Sequence, residues 1–106
     1  MEIKKERMAS VIKDLASKFL SLESNRTSLI TVTDVKMNDK GDKGTIFMTV
    51  FPEAMEEGAL DFTKRKRSDF REYVKEHSKL MRLPFFDFAI DTGEKNRMKI
   101  DELMNK

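Results

Sequence analysis

Apolar residues recur at helical spacing from early in the chain. Met8, Val11, Ile12, Leu15, Phe19 and Leu22 fall on one side of a helix, and Ala16 and Leu20 widen the stripe. Lys13, Asp14, Ser17 and Lys18 take the other side. Residues 1–6 precede the stripe and are expected to form a flexible N-terminal arm. Ser21 to Ser28 is polar and has no period. The pattern then changes. Leu29 to Lys36 is rich in β-branched residues, and Thr45 to Phe51 alternates Ile46, Met48 and Val50 on one face, so both read as strands. The segment Asn38-Asp39-Lys40-Gly41-Asp42-Lys43-Gly44 between them is dense in turn residues and predicts a hairpin.

Helical spacing returns after Pro52-Glu53. Proline suits a first helical turn, and Glu53, Glu56 and Glu57 suit the positive end of the dipole. Met55, Ala59 and Phe62 give this second helix an apolar stripe, which Lys64-Arg65-Lys66-Arg67 interrupts. Ser68 or Asp69 is expected to cap a third helix across a kink, with Asp69 and Glu72 at capping-box spacing. Phe70, Tyr73, Val74, His77 and Leu80 form its apolar face, and Pro84 is expected to stop it. Phe86, Phe88 and Ile90 alternate on a third strand. Residues 92–106 read as a turn from Thr92 to Lys95 and a short helix carrying Ile100, Leu103 and Met104. The order is α-β-β-α-(kink)-α-β, an α+β fold in which a three-stranded sheet carries its helices on one face. At 106 residues the chain is expected to be a single domain over residues 1–106.

Composition narrows the chemistry. Hydrophobic residues are 39% and charged residues 38%, enough for a small core and too charged for a membrane span. The N-terminus lacks the apolar segment of a secretory signal, so a cytoplasmic location is expected. There is no cysteine, which excludes disulfides, thiolate nucleophiles and Cys-based zinc sites, and the single histidine excludes a multi-histidine metal cluster. The residues Asp34, Asp39 and Asp42 lack the frame of a calcium loop. No catalytic set, cofactor motif or metal site is expected.

Charge is uneven. Leu60 to Pro84 holds eight Lys or Arg against four Asp or Glu, whereas the whole chain carries only +2. Arg67, Arg71, Lys75 and Lys79 recur every four residues, on the side of the third helix away from Phe70, Val74 and His77. Arg82 returns to the Arg71 direction, and Lys64, Arg65 and Lys66 extend the patch through the kink. Several cations on a rigid line, some of them Arg forks, suit a phosphate backbone. Lys4, Lys5 and Arg7, and also Lys95, Arg97 and Lys99, are lesser candidates. His77 is expected to be a half-buried packing residue, and Phe85 to pack at the sheet edge rather than stack on a base.

Several local residues resemble the ribosome-binding factor A family. Thr31-Val32-Thr33-Asp34-Val35 followed by Asn38-Asp39 is similar to that family's first-strand signature. Phe70-Arg71 is similar to its Phe-x-Arg region, and Arg82-Leu83-Pro84 with Phe88 and Asp91 to its run into the last strand. The resemblance implies a KH-like type II domain without a catalytic centre, which binds the small (30S) ribosomal subunit or its precursor and assists maturation of 16S ribosomal RNA. It implies ribosomal RNA as partner, no membrane and no cofactor; a monomer is expected. The family usually carries Ala-x-Gly at its helix kink, where this sequence reads Arg67-Ser68-Asp69. A literal Gly-x-x-Gly occurs at Gly41-Asp42-Lys43-Gly44, but it joins two strands and reads as hairpin chemistry rather than a KH clamp. Two other readings stay open: a general KH-like module for single-stranded RNA, and a protein-interaction module pairing through an edge strand.

Overall fold

A computed structural model of the chain describes residues 2–23, 28–80 and 82–93, with side chains of the first helix from Glu6 onward. Helix α1 spans Glu2–Glu23, strand β1 Leu29–Met37 and strand β2 Lys43–Phe51. A single 3-10 turn, Glu53–Met55, leads into helix α2, Glu56–Arg65. Helix α3 spans Arg67–His77 and strand β3 Phe85–Ile90. The α+β order read from the sequence is the order of the structure. Residues 2–6 continue the helical backbone of α1 where an arm was expected, because nothing before Met8 breaks a helix. The expected C-terminal helix, with Ile100, Leu103, Met104 and the cations Lys95, Arg97 and Lys99, lies outside the described residues, as do the side chains of Lys4 and Lys5.

The sheet has the order β1-β2-β3. Strands β1 and β2 are antiparallel and β2 and β3 parallel, so the two helices between β2 and β3 form the crossover a parallel pair requires. The hairpin turn is closed by Asn38, whose Oδ1 accepts from the N–H groups of Asp42, at 2.9 Å, and Lys43, at 3.1 Å. Gly41 sits at φ +71°, the left-handed conformation that glycine adopts without strain. The Gly-x-x-Gly stretch is therefore hairpin structure. A bulge at Thr33 shifts the register, so Val32 pairs with Met48 but Asp34 with Phe47.

One face of the sheet is the core. Val32, Val35, Ile46, Met48, Val50, Phe86 and Phe88 are buried there against Ile12, Leu15, Ala16, Phe19 and Leu20 of α1 and Phe70 and Val74 of α3. Gly44 belongs to this face, where a Cβ would lie 2.9 Å from the Met37 sulfur. Val11 and Leu22, assigned to the α1 stripe, are exposed at 42% and 73%. At about 100° per residue both lie near a right angle from the stripe's centre, beyond the width the sheet covers. Thr63 is fully buried, and its hydroxyl donates to the Leu60 carbonyl at 2.9 Å, so its burial leaves no unpaired donor. The other face of the sheet is open, and Leu29 and Phe51 lie opposite each other on it, both exposed.

Candidate nucleic-acid interface

The basic cluster straddles the junction of α2 and α3. That junction is one residue, Lys66, at φ −95° and ψ 7°. Its N–H bonds the Thr63 carbonyl at 3.0 Å, and its own carbonyl accepts from Phe70 N–H at 2.8 Å to start the next helix. Ser68 and Asp69 are not the kink: they lie within the first turn of α3, and no side chain caps it. A negative φ near the bridge region is open to any L residue, so this turn needs no glycine. Asp69 instead adds negative charge at the helix N-terminus and lies 3.7 Å from the Lys66 ammonium.

The cations then divide. Lys66 turns toward α1, with its Nζ 3.6 Å from Glu23, and lies over the Phe62 ring. Lys64 and Arg67 turn the other way and share one carboxylate oxygen of Asp87 on β3, each at 3.3 Å. Arg67 also donates from Nε to the Lys64 carbonyl at 3.0 Å. Partial burial acts to raise the Asp87 carboxyl. The Phe88 N–H bond, the Lys64 hydrogen bond and the charges of Lys64 and Arg67 outweigh it and hold the group below its ordinary value of 3.8.

Arg71 departs most from expectation. It is half-buried, and its fork is occupied: Nε donates to the Pro84 carbonyl at 3.2 Å and Nη2 to the Leu83 carbonyl at 3.1 Å. Its guanidinium also lies over the Phe85 ring, 4.7 Å from the centroid. Arg71 thus ties the segment entering β3 to α3. Phe85 itself is 67% exposed and does not pack into the edge. The doublet Phe85-Phe86 held the signal: in a strand with one buried face, neighbouring aromatics must point to opposite sides. Lys43, opposite Phe85 in register, also escaped the sequence reading. A cleft of about 530 Å³ gathers Lys43, Arg67, Arg71, Glu72, Phe85 and Asp87, and a neighbouring hollow adds Asp61, Lys64 and Arg65.

Arg65, Lys75, Lys79 and Arg82 have no hydrogen-bond or ion-pair partner among the described residues. Arg67, Arg71 and Lys75 keep the four-residue spacing on α3, but Lys79 and Arg82 leave it. The helix ends at His77, because Ser78 adopts extended backbone and its hydroxyl takes the Val74 carbonyl at 2.7 Å. Pro84 therefore does not end the helix; it is buried at the entry to β3. His77 is exposed rather than half-buried. Its ring stacks on Tyr73 at 4.0 Å between centroids, and its Nδ1 lies 2.9 Å from the Tyr73 carbonyl, a contact that Nδ1–H donates. No helix among the described residues is long and apolar enough to cross a membrane.

The family model for ribosome-binding factor A matches residues 4–104. The chain belongs to the ribosome-binding factor A family. That family consists of non-enzymatic ribosome assembly factors. The crystal structure of ribosome-binding factor A from Thermus thermophilus is similar, with a TM-score of 0.70 at 28% identity over 81% of this chain and 94% of that one. A Thermus thermophilus homology model fitted into the cryo-EM map of a 30S complex of that factor matches with a TM-score of 0.65 at 26% identity, over 76% of this chain and 88% of that one. No curated protein matches the sequence. The three-stranded mixed sheet with its helices is the KH-type II arrangement of the ribosome-binding factor A structures. Two of the residues that carried the family resemblance meet here: Thr33, at the β1 bulge, donates its hydroxyl to Asp91 at 2.5 Å across β2, and Asp91 N–H bonds the Met48 carbonyl at 2.7 Å. This pair fastens the end of β3 to β1, which it does not touch along its edge.

Proposed function

We propose that the protein docks on the small ribosomal subunit or its precursor and assists 16S ribosomal RNA maturation, acting in the cytoplasm as a monomer. Family membership over residues 4–104 carries this reading, and the 30S complex of the Thermus thermophilus relative supplies the partner. In it, Arg65, Lys75, Lys79 and Arg82 make the principal phosphate contacts, since their charges are uncommitted among the described residues. Lys64 and Arg67 contribute once phosphate competes with Asp87, and Lys66 contributes from the α1 side. Arg71 acts through the segment it holds.

Docking of this kind proceeds in two stages. Diffuse attraction between the cations and the phosphate backbone concentrates the protein on RNA without reading sequence. Shape fit to a folded junction then supplies selectivity. No covalent step is involved. The protein alters RNA only by binding one arrangement better than another, by as much as its differential affinity allows.

Sedimentation of a cell extract tests this. The protein should travel with free small subunits or their precursors and be largely absent from translating ribosomes, and a depleted strain should accumulate unprocessed small-subunit RNA. Normal processing after clean depletion would refute the assembly role. Binding to short single-stranded RNA without subunit association would favour a general KH-like module. Salt-insensitive self-association without RNA binding would favour a protein module pairing through the β1 edge.

A further inference from the structure

We propose that Phe85 is a stacking platform for an unpaired nucleobase, held in place by Arg71, with Arg67 and Lys43 taking the flanking phosphates. This rests on the RNA-binding reading above and names its ligand class: single-stranded RNA with an accessible base, not a duplex. Four observations carry it. The Phe85 ring is 67% exposed at the first position of a strand whose next residue, Phe86, is buried at 6%. The guanidinium of Arg71 lies 4.7 Å from the Phe85 centroid and is anchored by the Leu83 and Pro84 carbonyls, so the platform is fixed before any ligand arrives. The backbone is fixed as well, because Phe85 N–H bonds the Asp42 carbonyl at 2.9 Å. Arg67 and Lys43 line the same cleft, so the ring is flanked by cations on both α3 and the hairpin, with the carboxylates of Glu72 and Asp87 also on its wall.

An exposed, immobilised aromatic beside cations is the arrangement with which single-stranded nucleic acids are bound. Every base has a π-face, and its phosphates follow the positive groove. A duplex keeps its bases stacked internally and offers this ring nothing. An acidic protein segment would meet the cations but would leave the ring unused.

The chain has no tryptophan, so Phe85→Trp provides a single fluorescent reporter at the platform. The full chain is titrated with a short single-stranded RNA of mixed sequence and with the same backbone carrying abasic riboses. The base-bearing RNA should quench the tryptophan and the abasic one should not. Phe85→Ala should weaken binding of the base-bearing RNA about 5- to 100-fold while leaving the salt dependence of binding unchanged, because no phosphate contact is lost. Arg71→Lys keeps the charge but loses the fork, so it should weaken the base-bearing RNA and spare the abasic one. Far-UV circular dichroism confirms that each variant is folded. If the parent binds neither RNA, the RNA reading and the platform both fall. If the parent binds with normal salt dependence and Phe85→Ala binds equally well, or if the abasic strand quenches equally, only the platform is overturned. If Phe85→Ala loses small subunits but keeps the oligonucleotide, the ring meets a protein and the proposal is wrong.

Discussion

Phe70→Ala tests whether the core described above holds the interface together. Phe70 is fully buried, and its ring lies 5.3 Å from that of Phe19, 4.9 Å from Phe86 and 5.9 Å from Phe88. It therefore joins α3 to both α1 and β3. Truncation to Ala forfeits roughly 100–150 Å² of apolar burial, or about 3 kcal/mol at 25 cal/mol per Å². The rings around it are held by separate elements and cannot collapse fully into the space, so the cavity adds to the loss and the expected cost is about 3–5 kcal/mol. Phe70→Leu keeps most of the volume and should cost about 1–2 kcal/mol. Total stability of such a domain is about 5–15 kcal/mol, so the Ala variant should remain folded in the cold. Urea unfolding followed by far-UV circular dichroism reads the change, which at an unaltered slope of about 1.5 kcal/mol/M lowers the midpoint by about 2–3 M. RNA binding by the folded fraction should survive. A loss below about 1.5 kcal/mol, or equal losses for Ala and Leu, would mean that this three-way junction does not exist as described.

Three further outcomes are expected. Changing Arg65, Lys75 and Lys79 together to Glu should alter stability by only about 0.5 kcal/mol per site, yet abolish RNA binding, whereas Arg71→Glu should cost about 2–3 kcal/mol by leaving the Leu83 and Pro84 carbonyls without their donor; urea melts and filter binding separate the two. Log affinity for RNA should fall with log salt at a slope of roughly −3 to −5 if about four to six cations meet phosphates, and a slope near zero would point to a protein-contacting surface. Asp87 has its carboxyl held below 3.8 in the folded state, so its contribution to stability is present above that value and disappears as pH falls through the lower folded value. Asp87→Asn should thus be less stable than the parent at neutral pH, with the gap closing in acid, while its RNA affinity rises because Lys64 and Arg67 are released; a gap that persists at the lowest pH would refute the assignment.

What the sequence made legible follows from range. The alternation of Ile46, Met48 and Val50 places β2 correctly because its signal is local and strictly periodic. The turn around Asn38 and Gly41 is equally local. The kink is misplaced by sequence reasoning because Lys64-Arg65-Lys66-Arg67 offers four similar helix formers, and the usual capping rules favour Ser68. The break falls at Lys66, where no side-chain cap marks it. Arg71 eludes that reasoning on other grounds. Its spacing gives the correct flank of α3, but the carbonyls that occupy its fork come from Leu83 and Pro84, twelve and thirteen residues on. Only the return of the chain into β3 reveals them. The acid that gathers Lys64 and Arg67 is likewise distant, since Asp87 follows them by twenty-three and twenty residues.

The layout of α3 explains why its cations lie where a ligand can reach them. At about 100° per residue, Phe70, Val74, Tyr73 and His77 occupy one sector, Arg67, Arg71 and Lys75 the next, and Glu72, Glu76 and Asp69 the remainder. The apolar sector is fixed against α1 and β3 by the burial of Phe70 and Val74. Its adjoining basic sector must then lie along the flank where β3 begins, within reach of Asp87 and Phe85, while Glu72, at the border of the acidic sector, lines the same cleft. Within the basic sector depth decides role. Arg71, one turn in from the junction, reaches backbone carbonyls and becomes a brace, whereas Lys75, at the open end, remains free among the described residues. His77 shares the apolar sector but is the last residue of the helix, beyond the sheet, which is why its ring stacks on Tyr73 rather than entering the core. One rotation of the helix about its axis, set by two buried side chains, therefore fixes both the brace and the contact surface. A variant that moved the apolar sector by a single position would lose both.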